Sequence, residues 1–214
     1  MLLVRTEKDD QVGKPPESIT EQNGNDEGCC QRILATANNL ITEPGFDKVT
    51  MAEIAKRSEI TIEQLEVYYS DKQQILDGLV GYHLGVCEGI RAFIRTDPNL
   101  SPLQRYQREW ELILMYMSNH QATLQAYMQR QTDVAPWIQE RIGQQRNQDI
   151  ELLEEACDLR ELQRVNPISL EAVLYGTLWS LILEYPPNRS STDFEAIPGM
   201  VTARILNPLT SLVR

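Results

Sequence analysis

Histidine is nearly missing from this 214-residue chain; the two present are His83 and His120. Neither has a metal-ligand partner or a nucleophile at a useful spacing, and the chain has no GxSxG and no glycine-rich phosphate loop. No enzyme, metal or cofactor is therefore expected. The four cysteines lack a CxxC or a Cys/His zinc spacing: Cys29 and Cys30 are adjacent, while Cys87 and Cys157 stand alone. That usage fits small apolar residues in a reducing, cytoplasmic setting. No apolar run reaches the roughly 18 residues of a membrane span, and no signal peptide is expected. Positive charge is also scarce. The balance of 20 Lys+Arg against 31 Asp+Glu gives a net charge of −11, which excludes indiscriminate nucleic-acid binding. Finally, no stretch alternates as a half-buried strand would, so the expected fold class is all-α.

The hydrophobic share of 42% is enough for a real core. Residues 1–27 contribute little to it: "KDDQVGKPPESITEQNGNDEG" has almost nothing to bury and reads as a disordered acidic arm. From Cys29 the pattern becomes helical, with Ile33, Leu34, Ala37, Leu40 and Ile41 on one stripe. Pro44 and Gly45 end that helix. Thr50 with Glu53, and Thr61 with Gln64, read as capping boxes opening two helices of about eight residues. Helices so short require tertiary support, which Ile54, Ala55, Ile60, Leu65 and Tyr69 can supply. The result is a helix-turn-helix on a supporting first helix. A longer helix follows from Asp71 to Phe93, then others from Ser101-Pro102, around Thr123–Gln131, and from Pro136 to Val165. The segment "NPISLEAVLYGTLWSLILEY" is a hydrophobic helix. A last, proline-interrupted segment has a Thr192–Glu195 capping box.

The stretch "ILATANNLITEPGFDKVTMAEIAKRSEITIEQLEVYYSDKQQIL" resembles the TetR family of transcriptional regulators. The resemblance lies in the apolar first helix, the Gly45-Phe46 turn, the Thr50 cap, Ile54-Ala55, and Tyr69-x-x-Lys72. It covers roughly a fifth of the chain. It implies an N-terminal three-helix helix-turn-helix DNA-binding domain over residues 28–72. A larger helical effector-binding and dimerisation domain would occupy 73–214. The chain departs from the family where a glycine is usual in the turn (Glu59) and where a basic and a small residue open the recognition helix (Ile62, Glu63). It departs again at Glu66, where tyrosine is common, though Tyr68 follows. Before the first helix stand Cys29, Cys30 and Gln31, with Arg32 the only basic residue left.

What the resemblance implies is a homodimer that binds a palindromic double-stranded operator, a repressor released by an unidentified small-molecule effector. Thr50 and Thr61 would meet phosphate oxygens, and Lys56, Arg57, Tyr68 and Lys72 would hold the backbone. Gln64 would pair with adenine, Glu63 would accept from cytosine N4, and Ile62 would meet a thymine methyl. Both threonines would be present as caps whatever the function. Glu63 and Glu66 lower non-specific affinity by repelling phosphates. The alternative is a family member that keeps fold and dimer but works through protein or ligand partners without DNA. In the larger domain Trp110, Met115, Tyr116, Tyr127, Met128, Trp137, Tyr175 and Trp179 are candidates to line an effector pocket, although their spacing equally suits ordinary core. Ala172, Gly176 and Ser180, four residues apart, form a small-residue stripe suited to a dimer interface.

Overall fold

The computed structural model describes residues 24–42, 45–130, 133–163, 165–184 and 209–210. Residues 1–23, Pro44 and the proline-interrupted final segment with its Thr192–Glu195 box lie outside the described residues. Eight α-helices carry the described chain: α1 (Gly24–Thr42), α2 (Met51–Arg57), α3 (Ile62–Tyr68), α4 (Lys72–Arg95), α5 (Pro102–Ser118), α6 (Gln121–Gln129), α7 (Pro136–Asp158) and α8 (Pro167–Glu184). A 3-10 turn, Phe46–Lys48, joins α1 to α2. Among the described residues the sole β feature is an isolated bridge between Leu162 and Thr210. Helix α1 begins at Gly24, inside the stretch assigned to the arm from its composition.

Local chemistry sets the helix starts. Thr50, Thr61, Asp71 and Ser101 each accept a hydrogen bond from the backbone N–H three residues on, satisfying a donor that has no partner within its helix. The box is reciprocal at Thr61–Gln64 and Ser101–Gln104. At Thr50 only the threonine half is formed, and Glu53 turns instead to Arg57, 3.6 Å away. Gly45 takes φ of 84°, which a side chain would resist, and lets the chain leave α1. Helix α7 stops at Asp158, short of the expected Val165. The chain turns at Arg160 (φ 61°), which brings Glu161 back to the start of α5. There its Oε2 accepts from Ser101 Oγ at 3.0 Å and from Leu103 N at 2.9 Å.

Two apolar cores result. The first gathers Ile33, Ala37, Ile54, Leu65 and Leu76 from the N-terminal helices, and continues without a break into Tyr127 and Ile138 of α6 and α7. The second joins α5, α7 and α8 through Tyr106, Leu114, Leu153, Leu174 and their neighbours. The N-terminal unit is thus not packed as an island. Asn38 of α1 accepts from Thr123 of α6 at 2.9 Å, and Asp47 pairs with Arg130 beyond the end of α6. Helices α4 and α7 approach closely at Gly81, where an added Cβ would lie 2.5 Å from the Trp137 ring.

Candidate functional site

Helix α3 has one anchor. Leu65 is fully buried, whereas Ile62, Glu63, Gln64, Glu66 and Val67 are exposed and Tyr68 is half-buried. Tyr68 also packs against the first core, so the surface left to a partner is that of the five exposed residues. Val67, 80% exposed, is an apolar member of this surface that the sequence pattern did not single out. Its signal was weak, since a lone valine in a short amphipathic helix reads as packing.

The acidic residues now have a local explanation. Glu63 lies in the first turn of α3, and hydrogen bonds from its own backbone N–H and from the Thr61 hydroxyl hold its carboxyl below the usual range. A carboxylate there complements the helix dipole as well as repelling phosphate. Gln64, expected as a base reader, uses its Oε1 to accept from Thr61 N at 2.9 Å. Glu59 occupies the turn between α2 and α3 in the left-handed region, φ 56°, where glycine would be unstrained.

The basic side chains do not act as one strip. Lys72 turns inward: its Nζ donates to Phe46 O at 2.9 Å and to Asp47 O at 3.3 Å, and stands 4.6 Å from the Phe46 ring centroid. Arg130 lies over the same ring at 4.9 Å, so Phe46 meets two cations. Arg57 lies 3.6 Å from Glu53. Lys56 and Arg32 are exposed, as are the hydroxyl-bearing caps Thr50 and Thr61.

In the larger domain Trp110, Tyr127, Tyr175 and Trp179 line one cavity among α4–α8, with a volume of about 60 Å³, and three of them continue into an adjoining chamber of about 220 Å³. Four residues expected with them lie elsewhere. Met115 is 50% exposed. Met128 and Trp137 pack against the first core, and Tyr116 turns its hydroxyl to His83 Nδ1 at 2.7 Å. Helical spacing identifies an apolar stripe, not the neighbour it faces.

Polar side chains missed by the sequence also reach this cavity: His83, Arg91, Gln145, Arg146 and Asp149. Arg91 and Arg95 of α4 grip Asp149 of α7 at 3.1 and 3.0 Å, and Arg95 also holds Glu109 of α5 at 2.8 Å. Glu109 is 1% exposed, and desolvation outweighs its two arginines to push its carboxyl up. Arg146 pairs with the buried Glu171 at 2.7 Å and lies over the Tyr175 ring. Burial, reinforced by the neighbouring His120, lowers His83 to about 4, keeping it neutral.

On α8, Leu170, Leu174 and Leu178 face the second core. Ala172, Gly176 and Ser180 lie on the opposite, exposed side with Ile168 and Val173, and a Cβ at Gly176 would meet nothing within 4 Å.

The described residues thus form a helix-turn-helix that rests on a supporting helix and shares a core with a cavity-bearing helical domain. Residues 33–79 match the family model of bacterial regulatory proteins, tetR family, and the N-terminal unit is a TetR-family helix-turn-helix. The fold beyond it agrees. It superposes on the ketosteroid transcriptional regulator KstR2 of Mycobacterium tuberculosis with TM-score 0.69 at 20% identity, covering 85% of this chain and 95% of that one. AibR, solved in complex with isovaleryl coenzyme A and operator DNA, gives 0.65 at 17% identity over 82% and 97%. The fatty acid degradation regulator FadR from Bacillus halodurans gives 0.64 at 17% over 85% and 96%. No curated protein matches the chain in sequence. Among the described residues no helix is long and apolar enough to cross a membrane, and no three His, Cys, Asp or Glu residues gather as metal ligands.

Proposed function

We propose that this chain is a homodimeric transcriptional regulator that binds a palindromic DNA operator through α3 and, as a repressor, releases it when a small molecule enters the cavity among α4–α8. The carrying observation is α3 itself: one fully buried leucine holds it, and Ile62, Glu63, Gln64, Glu66 and Val67 stand exposed on the surface that would meet a groove. Three further features support the reading. The exposed face of α8 offers apolar and small residues to a second copy, whose two-fold symmetry matches two half-sites. Tyr127 belongs both to the cavity wall and to the core beneath the helix-turn-helix. The Asn38–Thr123 and Asp47–Arg130 links tie α6 to the N-terminal unit, giving occupancy of the cavity a mechanical route to α3. AibR, with the same fold, was solved with both a ligand and its operator.

A second reading rests on the inward-turned Lys72 and on Glu63 and Glu66: the surface of α3 would meet a protein instead of DNA. Fluorescence anisotropy of labelled fragments from around the coding region, at 50 and 200 mM salt, separates the two. One fragment bound tightly, and more weakly at the higher salt, supports the regulator. Failure of every fragment and of a random DNA pool at low salt rejects it.

A further inference from the structure

We infer that the molecule taken up by this cavity is uncharged and largely apolar, with one hydrogen-bond acceptor, such as a ketone oxygen, docked on Nε2–H of His83. The inference rests on reading the cavity as the effector site and names the chemistry that site accepts.

Charge matching inside the cavity comes first. Arg91 and Arg146 reach its wall, but each is already satisfied: Arg91 by Asp149 at 3.1 Å, Arg146 by Glu171 at 2.7 Å. The third arginine of the cluster, Arg95, is held by Glu109 at 2.8 Å. An anionic ligand would have to pull a guanidinium from its carboxylate and leave that carboxylate buried and unpaired. A cationic ligand meets the converse obstacle. Two of the neutral polar groups already have partners. Gln145 accepts from Arg91 at 3.0 Å and donates to Glu88 at 3.1 Å, and Tyr127 accepts from Gln139 at 3.1 Å.

His83 is the exception. It is 4% exposed and lines the cavity, and its Nε2 is buried with no hydrogen-bond partner among the described residues. The other ring nitrogen, Nδ1, lies 2.7 Å from Tyr116 Oη. Desolvation pushes the Tyr116 phenol up, so that group stays protonated, and we take it as the donor to Nδ1 of the neutral imidazole. The imidazole proton then sits on Nε2. His120, 4.4 Å away between ring centroids, does not line the cavity and gives this nitrogen no hydrogen bond. A buried donor without an acceptor is costly, and a carbonyl or ether oxygen on the ligand would relieve it.

Isothermal titration calorimetry on the full chain tests this with matched series from six to ten carbons: 2-alkanones, alkanoates and alkylammonium ions at pH 7.5. The expected result is that at least one 2-alkanone binds about tenfold or more tightly than the alkanoate and the alkylammonium of equal length. His83→Phe, which keeps the ring but removes the donor, should weaken that ketone about tenfold. His83→Gln, which restores an N–H, should recover most of it. Tyr116→Phe serves as an independent variant: it removes the bond that fixes the tautomer and should lower ketone affinity several-fold. Tighter binding of an alkanoate or alkylammonium overturns the inference. So does equal ketone affinity in a folded His83→Phe, or no heat from any ketone. Operator binding is measured separately. Ketone binding without DNA binding would reject the regulator reading alone. Operator release by an alkanoate but by no ketone would keep the regulator and reject this ligand class.

Discussion

Replacing Lys72 with alanine should weaken the packing of the N-terminal unit more than any contact with DNA. The ammonium donates to two backbone carbonyls, at 2.9 and 3.3 Å, and lies 4.6 Å from the Phe46 centroid. Charge-assisted hydrogen bonds contribute roughly 1.5–3 kcal/mol and a solvent-exposed cation–π contact roughly 0.5–1 kcal/mol. Lys72 is half-buried, so water recovers part of this in the variant. A net loss of about 2 kcal/mol is the reasonable sum, and for a chain of this length it lowers Tm by about 4–8 °C. Lys56→Ala, at an exposed position, should change stability by less than about 0.5 kcal/mol and serves as the control. Circular dichroism melts give the first half of the test. The slope of log K against log salt on the operator gives the second, because a lost phosphate contact reduces that slope by about 0.9. A Tm within 1 °C of the parent together with such a loss of slope would refute the inward role and return Lys72 to the DNA surface.

Glu59→Gly should raise stability by up to about 1 kcal/mol in urea unfolding, since the left-handed turn costs glutamate more than glycine; a loss of stability would show that φ 56° is not strained. Stability should also fall as pH drops through the window between 6.5 and about 4. There the unfolded chain binds a proton at His83 and the folded one does not, a difference of about 2 kcal/mol by pH 5. His120, also lowered by burial, acts in the same direction, while Glu109 and Asp77, raised by burial, act oppositely in the same window. The readout is therefore the parent minus His83→Phe between pH 7.5 and 5.0, and parallel curves would deny the buried neutral imidazole. In the proposed dimer, Gly176→Leu should convert the pair to monomer in light scattering at micromolar concentration without lowering helicity; a retained dimer mass would place the interface elsewhere.

The parts legible in the sequence are those whose cause is local. The Thr61–Gln64 and Thr50 caps, the Pro102 start of α5 and the apolar stripe of α1 each depend on residues within one or two turns. The unread parts depend on distant partners. Arg91 and Asp149 are 58 positions apart, Lys72 and Phe46 are 26 apart, and nothing in either neighbourhood marks the pairing. Aromatic residues show the same limit. Trp137 and Trp179 both pack against the first core, yet Trp137 lies over the open backbone at Gly81 while Trp179 also reaches the second core and the cavity. The acidity of α3 was visible from the start, but its use at Glu63 required the position of Thr61.

The arginine pair at the far end of α4 has a consequence for distance. In the proposed regulator that end of the rod, anchored on Glu109 and Asp149, would act as a fulcrum, and the cavity touches the rod between it and the helix-turn-helix. With a rise of about 1.5 Å per residue, roughly 30 Å separates the anchor from the Lys72 end, so a swing of only about 5° there carries that end by about 3 Å. In the proposed two-fold pair the two ends would move in opposite directions and the displacements would add. The spacing between two copies of α3 would then change by more than the roughly 3.4 Å step between stacked bases, enough to put one half-site out of phase with the other.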